Sequence, residues 1–269
     1  MPKTFDLYSG TYSQFTEDVL AAVRAETFGE DIGQNSWLTA GEFGGFVDLL
    51  ELTGNDHALE VASGSGGPAL FAARRTGCRV TGVDADENGV ATASRAAADA
   101  GLGDRVRFRT ANANARLPFD DASFDGVLCM DAMNHLPDRG GVLREWRRVL
   151  RPGRRAVFTD PVVITGPVTH DELSRRSSIG VFVFVPPGVN ERLVEEAGLT
   201  LRDRRDVTEN AALVSGRWRA ARARHRDELV RIEGEERFAG LQDFFAAVHQ
   251  LTSERRLSRF VYVAERPPD

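Results

Sequence analysis

The chain has 269 residues, of which 42% are hydrophobic and 28% are charged, and its formal net charge is −6. These proportions are typical of a folded globular protein. The negative charge argues against binding to nucleic acid through overall electrostatics, because neutralising phosphates requires a basic surface. No stretch approaches the roughly 18 consecutive apolar residues of a membrane span, so we expect a cytoplasmic protein without a nucleic-acid or membrane partner.

The first part of the chain is predicted to be helical over residues 12–52, with a break around GEDIGQNSW. A regular alternation of strands and helices follows. HALEVA is an apolar run that ends in a glycine turn, and PALFAARRTG has the pattern of a helix that ends at Gly77. CRVTGVD is predicted to be the second strand and ENGVATASRAAADAGL the next helix.

The alternation continues to Asp160. RVRFRTA alternates with a period of two, as a strand does, and FDGVLCMD is predicted to be a buried strand. DRGGVLREWRRVLRPG places apolar residues at helical spacing, and RRAVFTD is the next strand. The order β-α-β-α-β-β-α-β predicts an α/β fold: a doubly wound, mostly parallel sheet with helices on both faces.

The pattern becomes less regular after Asp160. VNERLVEEAG is predicted to be a helix, LTLRDRRDVT a strand, residues 211–252 two helices and LSRFVYVAE the last strand. We expect the late helices to form a cap over the carboxyl edge of the sheet, where doubly wound folds bind ligands.

The turn EVASGSGGP, residues 60–68, contains the first ligand-binding motif. Gly64, Gly66 and Ala69 fit G-x-G-x-x-A, in which glycines let the backbone approach a nucleotide and the next helix presents free N–H groups. Asp84 ends the second strand, 18 positions after Gly66, where a carboxylate can accept hydrogen bonds from ribose hydroxyls. These features fit a site for NAD and a site for S-adenosylmethionine equally well.

Glu60 distinguishes between NAD and S-adenosylmethionine as candidate ligands. A carboxylate inside the first strand would repel a pyrophosphate, but it suits the ammonium group of a methionine moiety. Ala62 stands where such turns usually carry their first glycine. We predict that the backbone φ of Ala62 is negative, with its methyl group turned away from the cofactor.

Further motifs resemble those of the class I S-adenosylmethionine-dependent methyltransferases. Besides the glycine turn and Asp84, the chain carries LPF at 117–119, SFD at 123–125 and VLRPG at 149–153. The resemblance covers roughly residues 40–160, and within the family the chain is similar to the small-molecule enzymes that methylate glycine, sarcosine and dimethylglycine. It implies a Rossmann-like sheet of seven strands whose last strand, 257–265, is antiparallel. It also implies S-adenosylmethionine as cofactor and S-adenosylhomocysteine as product.

The resemblance implies an organisation of the chain and a cofactor site. Residues 1–40 would form a helical lid, 41–160 the cofactor-binding core, and 161–269 the remaining strands with a cap inserted at about 165–187 and 211–252. Asn112 stands where the family usually has an aspartate near the adenine, and Asn114 competes for that role. The expected cofactor-binding residues are Trp37, Glu60, Ala62, Gly64, Gly66, Asp84, Ala85, Asn112, Ala113 and Asp131.

Two titratable residues follow strands at the expected ligand edge. His135 follows the fourth strand and would act as a general base in O-methylation, although a histidine at this position can also serve only in local packing. Asp160 ends the fifth strand and would orient an amine. Asn134 is expected to contact the substrate, and Tyr8 and Tyr12 to contact the cofactor or to hold a cationic substrate against their ring faces. No metal site is predicted.

Arginines are frequent in two parts of the chain. We expect the stretch GRWRAARARHRDELVRIEGEE, and Arg255, Arg256 and Arg259 near the last strand, to form solvated faces.

These observations favour a methyltransferase that acts on a small metabolite, with an amine as the first hypothesis for the acceptor. The alternative within the class is O- or C-methylation of a specialised metabolite with His135 as base. Two other classes stay open. One is an NAD(P)-dependent oxidoreductase, against which stand Glu60 and the lack of a Tyr-x-x-x-Lys pair in a chain whose only lysine is Lys3. The other is a protein that binds S-adenosylmethionine without catalysis.

Overall fold

The structure, a computed structural model, describes Tyr12, Phe15 and residues 17–268. A one-turn 3-10 helix, Met133–His135, follows the fourth strand. The helices and strands of the described residues are, in chain order, α1 (Asp18–Phe28), α2 (Ala40–Asp48), β1 (His57–Val61), α3 (Gly67–Thr76), β2 (Arg79–Asp84), α4 (Glu87–Asp99), β3 (Val106–Thr110), β4 (Phe124–Cys129), α5 (Arg139–Val149), β5 (Leu150–Ile164), α6 (His170–Arg176), α7 (Val189–Glu196), β6 (Thr200–Asp206), α8 (Thr208–Arg224), α9 (Arg226–Glu233), α10 (Glu235–Ser253) and β7 (Leu257–Glu265).

The strands form one seven-stranded sheet in the order β3-β2-β1-β4-β5-β7-β6. Strands β1 to β5 are parallel to their neighbours within that group, and β7 runs antiparallel to both β5 and β6. The predicted α/β fold with an antiparallel last strand at 257–265 is therefore confirmed. This order places the ends of β1, β2 and β4 side by side, at the point where the strand order reverses.

Helices cover both faces of the sheet. On one face, α2, α3 and α4 contribute Phe43, Ala72 and Ala97 to a buried apolar cluster with the strands. On the other face, α5 contributes Trp146 and α7 contributes Val194. Buried apolar side chains pack on both faces, so the sheet is a rigid platform and the strand ends at its edge are held in place.

The cap contains three helices where the sequence predicted two. The first helix ends at His225, which is the C-cap residue of α8 and the N-cap residue of α9. The chain breaks again at Gly234, whose φ of 81° and ψ of 157° lie outside the helical region. The described residues contain no helix long and apolar enough to cross a membrane.

Helices α8 and α10 share an aromatic core with the segment that precedes α2. Trp37 and Trp218 pack edge to face with ring centroids 6.0 Å apart, and Trp218 stacks on Phe245 at 4.9 Å. Helices α8 and α10 thus bring aromatic side chains to the carboxyl edge of the sheet.

The prediction that the Arg-rich stretch is a solvated face was wrong for one residue. Arg222 of α8 is only 3% exposed and forms an ion pair with Glu233. Its guanidinium lies 5.3 Å from the ring centre of Phe238. A long polar side chain can be buried in this way when its charge is paired. The pattern of charged residues along one helix does not show which residue will be that partner.

Candidate functional site

A cavity of about 320 Å³ opens at the carboxyl ends of β1, β2 and β3. We call it the larger cavity. Its volume is in the range of ligand sites for small molecules. The residues that line it are Tyr12, Asn35, Ala62, Val83, Asp84, Ala85, Asp86, Ala111, Asn112, Ala113, Asn114, Met130, Asp131, Ala132, His135 and Leu136.

The glycine turn forms one wall, and Ala62 contradicts its predicted conformation. The φ of Ala62 is +59°, not negative, and Ala62 lines the larger cavity. The left-handed backbone at this position turns the chain so that the Ser63 N–H donates to the Val83 carbonyl of β2 at 3.0 Å. The turn therefore needs a residue in the left-handed conformation. Glycine is usual here because it adopts that conformation without strain, whereas the Cβ of alanine makes it less favourable.

Gly64 and Gly66 shape this turn, with φ of +50° and +83°. A Cβ added to Gly64 would lie 2.6 Å from the Tyr12 hydroxyl oxygen, so the absence of a side chain lets Tyr12 cover the turn. A Cβ added to Gly66 would lie 2.7 Å from the Cβ of Ala93 in α4. Neither glycine is among the residues that line the larger cavity.

Asp84 presents its carboxylate at the end of β2. Its Oδ2 accepts a hydrogen bond from the Gly64 N–H at 2.8 Å, and its Oδ1 accepts one from the Asp86 N–H at 2.9 Å. The Ala85 N–H also donates to this carboxylate, and a lone pair that remains can accept from a ligand hydroxyl. Burial raises the pKa of Asp84, and these backbone hydrogen bonds oppose the rise.

Glu60 lies beneath the site and is 2% exposed. Its carboxyl accepts a hydrogen bond from the Ala69 N–H in the first turn of α3, while Oε2 has no hydrogen-bond partner in the part of the chain that the structure describes. Burial, together with the neighbouring charge of Asp84, raises the pKa of Glu60 well above its usual range. Glu60 does not line the larger cavity, and its contact with a ligand ammonium stays a prediction.

The end of β3 forms the opposite wall. Asn112, Ala113 and Asn114 all line the larger cavity. The Asn112 Oδ1 accepts a hydrogen bond from the Asn114 N–H at 2.9 Å, so this oxygen shapes its own turn.

The two tyrosines were predicted to contact the cofactor or to hold a cationic substrate. Tyr12 lines the larger cavity beside the glycine turn. Tyr8 lies outside the described residues. Contact of Tyr12 with a bound ligand stays a prediction.

A second cavity of about 30 Å³ adjoins the first, and we call it the smaller cavity. Asn35, Asp131 and His135 line both cavities and form their boundary. The residues that line the smaller cavity are Asn35, Ser36, Trp37, Asp131, Asn134, His135, Arg176, Ile179, Phe182, Trp218, Phe244 and Phe245.

Trp37 and Asn134 both belong to the smaller cavity. Trp37, predicted to bind the cofactor, lines only this cavity, because its ring packs against the cap aromatics. Asn134 lines it as a substrate-contacting residue would. Asn134 is 1% exposed, its carbonyl oxygen accepts a hydrogen bond from the Val183 N–H at 2.8 Å, and its side-chain Oδ1 has no partner among the described residues.

His135 lies at the boundary of the two cavities. Its Nδ1 is 2.8 Å from the Val181 carbonyl oxygen. A carbonyl can only accept, so Nδ1 carries the hydrogen and the neutral ring has its lone pair on Nε2. Burial lowers the pKa of His135 to about 4, and the charge of Arg176 contributes to that decrease. The ring is therefore neutral near pH 7, as a general base must be.

Asp131, predicted to bind the cofactor, is held by protein groups. Its Oδ1 accepts hydrogen bonds from Arg259 Nε at 2.7 Å and from Thr159 Oγ1 at 2.8 Å, and its Oδ2 accepts one from the Trp37 N–H at 2.8 Å. Its backbone φ is +52°. This carboxylate therefore fixes the boundary between the cavities.

Arg259 corrects a second prediction about arginines. It is fully buried rather than solvated, and besides Asp131 it donates to Glu42 Oε2 of α2 at 2.7 Å. Glu42 also accepts a hydrogen bond from Asn210 of α8 at 2.9 Å. One guanidinium on β7 thus joins the sheet edge, α2 and the cap.

Asp160, predicted to orient an amine, lines neither cavity. It is completely buried and forms an ion pair with Arg139. Asn190 Nδ2 donates to its Oδ2 at 2.8 Å. Oδ2 therefore links α5 and α7 to β5, and Oδ1 accepts a hydrogen bond from the Val162 N–H at 3.2 Å, so both carboxylate oxygens already have protein partners.

Several lining residues were missed by sequence reasoning. Asn35, Ser36, Arg176, Phe182, Trp218, Phe244 and Phe245 belong to segments that the sequence assigned only as lid or cap. The apolar run VFVFV and the pair Phe244-Phe245 indicated residues that could line a cavity. The sequence did not show that these distant segments surround the same cavity.

The lining of the larger cavity suits a ligand in which a nucleoside is joined to an amino acid, as in S-adenosylmethionine. Asp84 offers a carboxylate for the ribose diol, and the end of β3 offers amide and apolar groups for a base. Across the chain that the structure describes, no group of histidine, cysteine or acidic residues could hold a metal ion.

Comparison with known proteins shows what part of the chain resembles. Residues 59–158 match a family model described as a methyltransferase domain. The methyltransferase GfsG of Streptomyces halstedii is 37% identical over 168 residues, which are 60% of this chain and 59% of that protein. The 27-O-demethylrifamycin SV methyltransferase of Amycolatopsis mediterranei is 35% identical over 164 residues, 60% of each chain. The aligned part therefore spans about 60% of the length of these relatives.

A solved structure shows the same fold over the whole chain. The [4+2]-cyclase SpnF aligns with a TM-score of 0.74, covering 99% of this chain and 100% of that one, at 22% identity. A likeness at this identity supports the architecture alone. Sequence motifs, sheet order, cavity and family match agree: over residues 59–158 the chain is similar to S-adenosylmethionine-dependent methyltransferases.

Proposed function

We propose that the protein transfers a methyl group from S-adenosylmethionine to a hydroxyl of a small, largely apolar metabolite. The observation that carries this proposal is the position of His135 at the boundary of the two cavities, with its lone pair on Nε2. The larger cavity would hold the cofactor and the smaller cavity the acceptor. When bound, the cofactor supplies an electrophilic methyl group on a sulfonium.

The residues of the chain have distinct parts in this mechanism. Asp84 would accept hydrogen bonds from the ribose of the cofactor. His135 Nε2 would take the proton of the acceptor hydroxyl as the oxygen attacks the methyl group, and the bond from Nδ1 to Val181 would hold the ring in position. Asp131, fixed by Arg259, would keep the two ligands aligned, since methyl transfer depends on an in-line approach.

The site gives less support to an amine acceptor, the first hypothesis from the sequence. Asp160 was the carboxylate expected to orient the amine, and it is neutralised by Arg139. The smaller cavity instead contains the guanidinium of Arg176, which would repel an ammonium group. The name of the 27-O-demethylrifamycin SV methyltransferase refers to a substrate that lacks an O-methyl group, which also favours oxygen.

We further propose that residues 1–40 act as a lid and that the cap, residues 165–187 and 211–252, selects the acceptor. The aromatic residues of α8 and α10 support this division, because they line the smaller cavity and not the larger one.

Transfer of a labelled methyl group tests the proposal. The protein is incubated with methyl-labelled S-adenosylmethionine and matched panels of hydroxylated and aminated aromatic compounds, and products are identified by mass spectrometry. We expect methylated oxygen and release of S-adenosylhomocysteine. His135→Gln should lower kcat by about 10² to 10⁴-fold while S-adenosylhomocysteine binding is retained.

A matched control is His249→Gln. His249 also bonds a backbone carbonyl through Nδ1, to Ala212 at 2.9 Å, but lies outside both cavities, so its loss should leave turnover unchanged. Full turnover in His135→Gln would show that the base role is wrong and would favour amine methylation. Cofactor binding with no methyl transfer to either panel would favour a non-catalytic binding protein.

A further inference from the structure

Arg176 is a buried cation in the wall of the smaller cavity. It is the last residue of α6 and is 1% exposed. Its guanidinium carbon lies 4.7 Å from the ring centre of Phe182, 5.2 Å from that of Phe244 and 5.8 Å from that of Trp37. Few arginines are so buried, and this one is placed where the acceptor would bind.

The chemistry of a guanidinium limits what it binds. Its N–H groups lie in one plane and match the two oxygens of a carboxylate. Aromatic rings over its faces add cation–π attraction. A buried arginine in a cavity wall is therefore well suited to an anionic oxygen group of a ligand.

Three neighbouring polar atoms support a polar ligand in the same cavity. Asn35 Nδ2, Ser36 Oγ and Asn134 Oδ1 are buried and have no hydrogen-bond partner within the described residues. An unsatisfied buried polar group costs about 1–3 kcal/mol. A ligand with both donor and acceptor oxygens would satisfy them.

The rest of the wall is aromatic. Trp218 and Phe245 stack with an interplanar angle of 30°, and Phe244 packs edge to face on Phe245 at 5.4 Å. Flat rings in these arrangements present broad apolar faces. Such a wall favours a flat, unsaturated body in the ligand.

We propose that the acceptor is a flat, unsaturated hydroxy acid, and that Arg176 binds its carboxylate while the hydroxyl lies at His135. This inference rests on the proposed function, because it names the substrate class of the same site. The present volume of about 30 Å³ accommodates roughly one water, so the acceptor must displace part of the lining.

The proposal has a consequence for the base. The charge of Arg176 contributes to the low pKa of His135. A carboxylate bound to Arg176 would offset that charge and raise the pKa of His135. The acceptor would therefore strengthen the base that deprotonates it.

Isothermal titration calorimetry with a matched pair of probes tests the inference. The probes are 6-hydroxy-2-naphthoate and its methyl ester, which share a ring system and a hydroxyl but differ in charge. Each is titrated into the full chain saturated with S-adenosylhomocysteine. We expect the acid to bind at least about tenfold more tightly than the ester, as a charge-assisted hydrogen bond implies. Arg176→Met should abolish this preference and Arg176→Lys should retain part of it.

Arg175→Met is the matched control. Arg175 is adjacent on α6 but forms an exposed ion pair with Asp243 at 2.7 Å and lines neither cavity, so the preference should persist in this variant. Equal affinity for acid and ester in the wild-type chain, or binding of neither, overturns the inference without any variant. Saturation with S-adenosylhomocysteine and methyl transfer to the hydroxyl panel are measured separately, so failure of the proposed function is recognised independently.

Discussion

Ala62 carries an L side chain on a left-handed backbone, with φ of +59°. A residue with a Cβ in this region costs about 1–2 kcal/mol relative to a right-handed one, and glycine avoids that cost. We expect Ala62→Gly to raise the free energy of unfolding by about 0.5–1 kcal/mol, since the flexibility of glycine in the unfolded chain offsets part of the gain. Urea denaturation measures the change.

Ala91→Gly provides the opposite control. Ala91 lies exposed inside α4, where glycine lowers stability by about 0.5–1 kcal/mol. Opposite signs at the two positions would attribute the gain at Ala62 to its φ. A loss of stability in both variants would contradict this account of the turn.

His135 should make stability depend on pH. Its pKa in the folded chain is about 4, below the ordinary value of about 6.5. Between these two values the unfolded chain binds a proton that the folded ring does not, so stability from this residue is present above about pH 6.5 and is lost as the pH falls towards 4. Urea titrations at pH 7 and pH 5 should show the wild type losing more stability than His135→Gln. Parallel losses in the two proteins would disprove the low pKa.

The elements around the site are joined by Arg259. The ion pairs of Arg259 with Asp131 and Glu42 connect β7, the end of β4 and α2, and all three side chains are largely buried. Removing one partner of a buried ion pair costs about 3–5 kcal/mol, because the remaining charges are left uncompensated. Arg259→Met should therefore lower the free energy of unfolding by about that amount, as measured by urea denaturation.

Arg255→Met is the control for an arginine of the same segment. Its pair with Asp206 is exposed, and exposed pairs contribute at most about 1 kcal/mol. Similar small losses in both variants would mean that the Arg259 network does not stabilise the site.

The sequence predicted the core elements well and the cap poorly, for a physical reason. Each core strand carries its own apolar or alternating run, so local patterns were sufficient for β1 to β5 and for the positions of Asp84 and His135 at the sheet edge. The burial of Arg222 and Arg259 depends on Glu233, Asp131 and Glu42. These partners are brought close only by the tertiary fold, and no local pattern identifies them. The sign of φ at Ala62 likewise depends on the bond from Ser63 to the neighbouring strand.

At the scale of the whole molecule, the sheet separates two chemical environments at one edge. The larger cavity is bounded by the glycine turn, Asp84 and Asn112, and the smaller one by the aromatic cap. His135 and Asp131 stand between them. The division of one edge into a nucleotide compartment and an aromatic compartment is what the proposed reaction requires, because the methyl group must pass directly from one ligand to the other.

Calorimetric titration of the full chain with S-adenosylhomocysteine, NAD and NADP tests the central claim most directly. We predict saturable binding of S-adenosylhomocysteine at one site and none of either dinucleotide. Asp84→Ala should weaken this binding by about tenfold or more, since hydrogen bonds to a charged group contribute about 1.5–3 kcal/mol. Binding of NAD or NADP without binding of S-adenosylhomocysteine would contradict the account.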